Sequence, residues 1–155
     1  AQGFLYEPGI SIVREASIAA GTGKVHAMHD LTEGGLSTGI VEMAGIVGLG
    51  ATVNKSSVHC YAETEAVCSH YGLDPIGMIS SGALLIALAP DDTGGVLDAL
   101  RQADIRAEVI GSLTEREKGL KMIEDGEARE FPTFEVDEIA RLFESEGEES
   151  NPLPR

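Results

Sequence analysis

Eight consecutive residues without a polar side chain, Gly82-Ala-Leu-Leu-Ile-Ala-Leu-Ala89, interrupt an otherwise strongly acidic chain. Bounded by Ser80-Ser81 on one side and Pro90 on the other, the run is too short for an ordinary helix. It reads as a strand buried on both faces and as the candidate central strand of a sheet. Such a strand needs apolar layers above and below it, which commits the chain to a layered arrangement of helices on a sheet. At 155 residues one domain can supply those layers. With 43% hydrophobic but only 5% aromatic residues and no Trp, the core must be aliphatic, and no aromatic platform for stacking bases is visible.

The remaining pattern alternates between the two periods. Pro8-Gly9 marks a turn, and the spacing of Ile10, Val13 and Ile18 predicts a helix over 10–20, stopped by Gly21 and Gly23. A short strand follows over 24–29, then a helix opened by Thr32-Glu33-Gly34-Gly35 and ended by Gly48 and Gly50. A strand at 51–54 and a helix over 61–71 come next. Pro90-Asp91-Asp92 starts a helix carrying Val96, Leu97 and Leu100, after which residues 105–110 are expected to return as a strand. Strands near 119–124 and 127–131 form a hairpin about Glu124-Asp125-Gly126, and a last helix covers 136–143. The expected fold is α+β, a layered α/β domain whose mixed sheet has helices packed on it. It spans residues 1–144, with a linker-like lead-in over 1–9 and a polar, disordered tail over 145–155.

The stretch His29-Asp30-Leu31-Thr32-Glu33-Gly34-Gly35 leaves a strand, passes two glycines and enters a helix. Backbone N–H groups gather there at the positive end of the helix dipole, where an anion is attracted. Gly34 and Gly35 leave the backbone open to close approach, and the Thr32 hydroxyl can bond a phosphate oxygen or a metal ion. Asp30 and Glu33 would repel an anion unless a cation such as magnesium lay between. A plainer reading competes on equal terms: Asp30 or Thr32 caps the helix, Glu33 favours its first turn, and the glycines allow tight packing.

Charge narrows the partners. A formal net charge of −15, with eleven scattered Lys and Arg residues, argues against a nucleic-acid footprint and against anionic membranes. Two Cys and no basic, apolar leader point to reduced thiols in the cytoplasm, and a start at Ala1 suggests a segment of a longer protein.

The run Val25-His-Ala-Met-His-Asp-Leu-Thr-Glu-Gly-Gly-Leu36, followed by Glu42-Met-Ala44, resembles the C-terminal domain of the aminoimidazole ribonucleotide synthase-related, PurM-like superfamily. Its nearest likeness is the hydrogenase expression/formation branch, HypE, which has an Asp-Pro-Thr-[Arg or Glu]-Gly-Gly loop at this place. Pro8–Glu15 resembles that family's lead-in, and Cys68–Pro75 through Ser80–Ile86 its central portion, so the likeness covers residues 8–115. The resemblance implies a PurM C-terminal-domain-like fold, partly like the ferredoxin plait, that closes over ATP held mainly by an N-terminal ATP-binding domain absent here. It further implies a cytoplasmic homodimer, a maturation partner protein, and Mg2+ alongside ATP. The family phosphorylates an amide- or carbonyl-type oxygen, as in carbamoyl dehydratase or cyclo-ligase reactions. On this reading Asp30, Thr32, Glu33, Gly34, Gly35, Ser80, Ser81 and Gly82 contact nucleotide, Asp30 and Glu33 magnesium, and His29 substrate.

Departures from the family pattern bear on the specific reaction. Asp30-Leu31 replaces Asp-Pro, Ser80-Ser81-Gly82 replaces a frequent Asn-Glu-Gly, and Asn151-Pro-Leu-Pro-Arg155 resembles the approach to a C-terminal Cys that does not follow. These point to a paralogue, or to a shortened chain. No catalytic residue is nominated, and the domain alone is expected to be inactive. The alternative is a stand-alone small-ligand-binding or regulatory module without catalysis, and a third reading is a purely structural dimerisation role. His59, Cys60, Cys68 and His70 are the only soft-ligand cluster, but their spacing matches no zinc pattern and packing roles are favoured.

Overall fold

The computed structural model describes Tyr6 and residues 9–149. Pro8 of the expected turn, and residues 150–155 of the expected tail with the Asn151–Arg155 stretch, lie outside the described residues. The chain builds five helices and six strands in the described part: α1 (Val13–Gly21), β1 (Val25–Asp30), α2 (Gly35–Val47), β2 (Gly50–Asn54), α3 (Ala62–Tyr71), β3 (Leu84–Leu88), α4 (Thr93–Gln102), β4 (Gly111–Thr114), β5 (Leu120–Glu124), β6 (Glu127–Glu130) and α5 (Glu138–Glu149). The architecture is α+β with a mixed sheet, as the alternation of periods requires.

The strands divide into a two-stranded antiparallel pair, β1–β3, and a four-stranded sheet in the order β4-β2-β5-β6. The apolar run 82–89 is therefore not the central strand of the large sheet. That place belongs to β2, which pairs β5 in parallel on one edge and β4 antiparallel on the other. The run does meet apolar side chains on both of its faces, which accounts for its composition. Leu85, with Ala83 and Ala87, joins the main core of Leu36, Ile40, Met43, Val53, Met122 and Phe131. Ile86 and Leu88 turn the other way onto a smaller cluster of Ala19, Val96 and Leu100 from α1 and α4. Period-two alternation serves two cores from one strand.

Residues 105–110 are not a strand, which corrects the expected strand-helix-strand unit. After α4 the chain reverses at Asp104, whose φ of 57° is left-handed, and Ile105 folds back onto the small cluster. A strand needs a partner edge, and β2 offers one only from Gly50 to Val53. Pairing accordingly begins at Ile110, whose carbonyl accepts from Asn54 N–H at 2.7 Å, and continues through Gly111–Thr114.

The hairpin forms as its residues demand. Glu124 pairs with Glu127 across a two-residue loop in which Asp125 (φ 52°) and Gly126 (φ 82°) both take the positive φ of a type I′ turn. The last helix begins two residues later than expected and runs through Ser145 to Glu149, where the composition suggests a tail. Helix α2 packs against β1 and β2 together, so it joins the two sheets. Its buried face, Leu36, Ile40, Met43 and Ala44, keeps helical spacing.

Because Val53 is 1% exposed at the centre of the large sheet, Val53→Ala should cost about 2 kcal/mol of unfolding free energy in urea. Val47→Ala, at a position 58% exposed, should stay within about 0.5 kcal/mol.

Candidate functional site

The loop between β1 and α2 is held by short local bonds. Leu31 N–H extends the β1–β3 pairing to Ala83 O (3.1 Å), Thr32 N–H donates to Asp30 O (3.1 Å), and Gly35 N–H donates to Thr32 O (3.0 Å). The N-cap of α2 is Gly34, at φ 71°, and no loop side chain caps the helix. The capping role open to Asp30 or Thr32 is thus not realised; the side chains of Asp30, Thr32 and Glu33 are exposed.

The two glycines have structural reasons of their own. A Cβ on Gly35 would lie 2.0 Å from the carbonyl oxygen of Met78, and one on Gly34 would lie 1.9 Å from Thr38 Oγ1. The first turn of α2 therefore sits directly on the backbone of residues 76–78. The tight packing anticipated for these glycines is real, though against a loop more than a sheet.

The second candidate segment does come to the first. Ser80 N–H donates to Thr32 O at 3.4 Å, and Ser80 Oγ donates to Met78 O at 2.9 Å, so this hydroxyl is engaged within its own turn. Gly82, at φ 101°, lies against residues 9 and 10, where its Cβ would be 3.3 Å from Gly9 O. Residues 9–10, 30–35 and 80–82 form one rim, and Ser81 is exposed on it.

His29 closes this rim on the α2 side. Its Nδ1 lies 2.8 Å from Asp30 O and its Nε2 2.6 Å from Glu42 Oε2. A carbonyl oxygen can only accept, and so can an ionised carboxylate, so this pair of neighbours favours the imidazolium form, in which both ring nitrogens donate. The hydrogen bond to Glu42, against a smaller opposing effect of burial, holds its pKa above the ordinary histidine value. Once protonated, His29 is a positive charge among the acids.

One group was missed from the sequence. Asp137, at the start of α5, places Oδ2 2.8 Å from Gly34 N and Oδ1 2.8 Å from Ile139 N. A single carboxylate thus accepts from the N-cap amide of α2 and from the amide of the second residue of α5. An Asp one residue before Glu138-Ile139 could have been read as a helix cap, but nothing in sequence links it to Gly34. Around this contact an open cleft of about 530 Å³ runs between Glu33, Gly34, Thr38 and Ile79 on one side and residues 134–137, Ile139 and Ala140 on the other. Its charged lining is entirely acidic: Glu33, Glu135 and Asp137.

Among the described residues, no three His, Cys, Asp or Glu side chains are grouped to hold a metal. Asp30 and Glu33 offer two exposed carboxylates beside the Thr32 hydroxyl, a partial set for a hard cation. The soft-ligand residues have other contacts: Cys68 Sγ lies 3.0 Å from Met78 Sδ, and His59 Nε2 lies 3.2 Å from Arg106 Nη1.

Comparison with known proteins follows the same segments. A family model described as AIR synthase related protein, C-terminal domain, matches residues 5–122. The chain is 31% identical over 99 residues to a putative hydrogenase expression/formation protein of Methanocaldococcus jannaschii, covering 63% of this chain and 30% of that one. It is 30% identical over 100 residues to the carbamoyl dehydratase HypE of Escherichia coli, covering 63% and 30%. The crystal structure of E. coli HypE superposes with a TM-score of 0.76 at 25% identity over 84% of this chain and 42% of that one. A HypE structure in complex with ATP gives a TM-score of 0.65 at 27% identity, over 74% and 37%. The chain therefore spans about a third of the length of these curated relatives, and less than half of the solved chains.

Two outcomes test the site geometry. Gly35→Ala combines a left-handed φ with backbone overlap and should lose about 2–5 kcal/mol in denaturant unfolding. Gly72→Ala, at φ 64° with no atom within 4 Å, should lose only about 1–2 kcal/mol. The His29–Glu42 pair sets a pH dependence. Because the folded pKa of His29 is raised, its contribution is complete below the ordinary histidine pKa and disappears as pH rises through the folded value. Glu42 is 55% exposed, so the amount should be under about 1 kcal/mol. Stability measured from pH 6 to pH 9 should fall slightly in the wild type, and Glu42→Gln should flatten that slope.

Proposed function

Because this chain belongs to the family of AIR synthase related proteins, C-terminal domain, we propose that it is the lid and substrate-side domain of an ATP-dependent protein of the HypE kind. The observation that carries the reading is the rim at 30–35 and 80–82, two chain segments 50 residues apart in sequence joined by Ser80 N–H and Thr32 O within the matched span. In the complete protein, an N-terminal ATP-binding domain completes the site, and the chemistry is phosphorylation of an amide- or carbonyl-type oxygen in hydrogenase maturation. The protein works in the cytoplasm as a homodimer with a maturation partner.

The residues fit one side of such a site. Gly34 and Gly35 present the start of a 13-residue helix, whose dipole favours phosphate. Asp30 and Glu33, with the Thr32 hydroxyl, would hold magnesium against that phosphate, and Ser81 and Gly82 would line the facing edge. His29 would reach the substrate oxygen or phosphate from the α2 side by giving up its bond to Glu42 or to the Asp30 carbonyl. Magnesium, when bound, neutralises phosphate charge; the chain's part is to orient the phosphates and keep water out. Since the acids of the cleft have no basic neighbour in its lining, the nucleotide's other contacts come from the missing domain.

Alone, the chain should hydrolyse ATP far more slowly than the usual enzymic range of about 1–1,000 per second. Ordinary turnover would sink the half-site reading. When it replaces the C-terminal domain of E. coli HypE, the chimera should bind ATP, and Glu33→Gln should weaken that binding roughly tenfold, the worth of one charge-assisted contact. A chimera that folds but gains nothing from this domain, binding ATP no better than the N-terminal domain by itself, would favour the stand-alone ligand-binding module instead.

A further inference from the structure

The structure carries a segment whose role the family match leaves open, because that match ends at residue 122. Residues 131–141 leave β6 and run across the start of α2 before entering α5. The crossing is fastened at each stage. Phe131 is buried in the main core, and Ser37 Oγ donates to Pro132 O at 2.8 Å. The Phe134 ring lies over Gly77, where a Cβ would stand 2.5 Å from it. Beyond Asp137, buried Glu138 accepts from Asp74 N–H at 2.9 Å, and Arg141 donates to Gly72 O at 2.8 Å.

At the midpoint the strap puts a carboxylate on Gly34 N–H, the amide of the α2 N-cap. We infer that Asp137 is a built-in competitor for the anion position of this loop, and that the 131–141 strap must shift off Gly34 before a phosphate can sit there. This rests on the reading of the loop as a phosphate site. An incoming phosphate wants the same N–H, and with Asp137 in place it would also lie against a carboxylate, with Glu33 and Glu135 lining the same cleft. The two anions exclude each other. The apparent affinity of the loop is then reduced by the fraction of molecules in which the strap is closed.

The strap is suited to partial release because its fastenings are of two kinds. Phe131, the Pro132 carbonyl and Phe134 anchor it upstream on the core, whereas downstream it is held by polar bonds, Asp74 N–H donating to the Glu138 carboxylate, 6% exposed, and Arg141, 50% exposed, donating to Gly72 O. Opening therefore takes Asp137 and the start of α5 away from Gly34 while Phe131 stays seated.

The test uses the chain as it stands, with inorganic pyrophosphate plus magnesium as the probe. Calorimetry would give affinity, and the Gly34 amide resonance in a 15N spectrum would report occupancy of that N–H. Asp137→Ala should bind pyrophosphate about tenfold tighter than wild type, or more, with a shift of the Gly34 resonance on titration. Arg141→Gln, which leaves Asp137 intact and loosens only the downstream fastening, should move affinity in the same direction by less. Equal affinities in wild type and both variants, with the Gly34 resonance shifting in all three, would overturn the competition while leaving the phosphate reading standing. If instead Asp137→Ala alters the Gly34 resonance but pyrophosphate moves it in no variant, the phosphate reading itself fails, and the competition with it.

Discussion

Helix α2 can reach the backbone of residues 76–78 only because its first residue has no side chain, and much of the domain is organised by that approach. With Gly35 seated on the Met78 carbonyl, Leu36, Ile40 and Met43 fall over the space between the β1–β3 pair and β2. A Cβ there would lift the helix start by an ångström or more. The two sheets would then lose the element that joins them, and interiors packed near crystal density do not absorb such a shift. The same contact positions the rim: Thr32 reaches Ser80, and Ser80 turns back on Met78, because the helix start is that close to the loop beneath it.

Electrostatics at this rim run against the chain's overall sign. A domain with net charge −15 repels anions at long range, yet it places amides at a helix start, a histidine with a raised pKa and two left-handed glycines within one short stretch. Local dipoles act over a turn or so, whereas net charge sets the approach from solution. The molecule satisfies the local preference from within, by Asp137. That carboxylate also caps α5, so one side chain ties the C-terminal segment to the Gly-Gly loop.

Much of the fold was legible because it is local. The periods of α2 and α4, the Asp125-Gly126 turn and the glycine stop at Gly48 each follow from a few neighbouring residues, and each is found where its residues place it. The errors came where a partner decided the outcome. Residues 105–110 carry a strand-like alternation, but β2 pairs on that side only from Gly50 to Val53, so the ladder starts at Gly111, directly after them. The apolar run 82–89 reads as covered on two faces, but which sheet it joins depends on β1, whose paired residues lie 54–63 positions earlier in the chain. For the candidate site, the loop, the Ser80 turn and His29 could be nominated from their residue types. The Glu42 partner of His29 and the use of Ser80's hydroxyl inside its own turn could not.

By itself the sequence determined the class of fold, the aliphatic core, the family to which the chain belongs and the place of its one glycine-rich helix start. These rest on composition and on spacings of three, four or two residues, which the backbone geometry of helices and strands imposes on any chain. Tertiary structure alone decided that the apolar run separates two cores instead of centring one sheet, and that Glu42 meets His29 and raises its pKa. It also decided that the N-cap amide of α2, Gly34 N–H, is bonded to Asp137, 103 residues further along the chain. Contacts at such separations depend on how whole elements dock, and no short-range pattern encodes them.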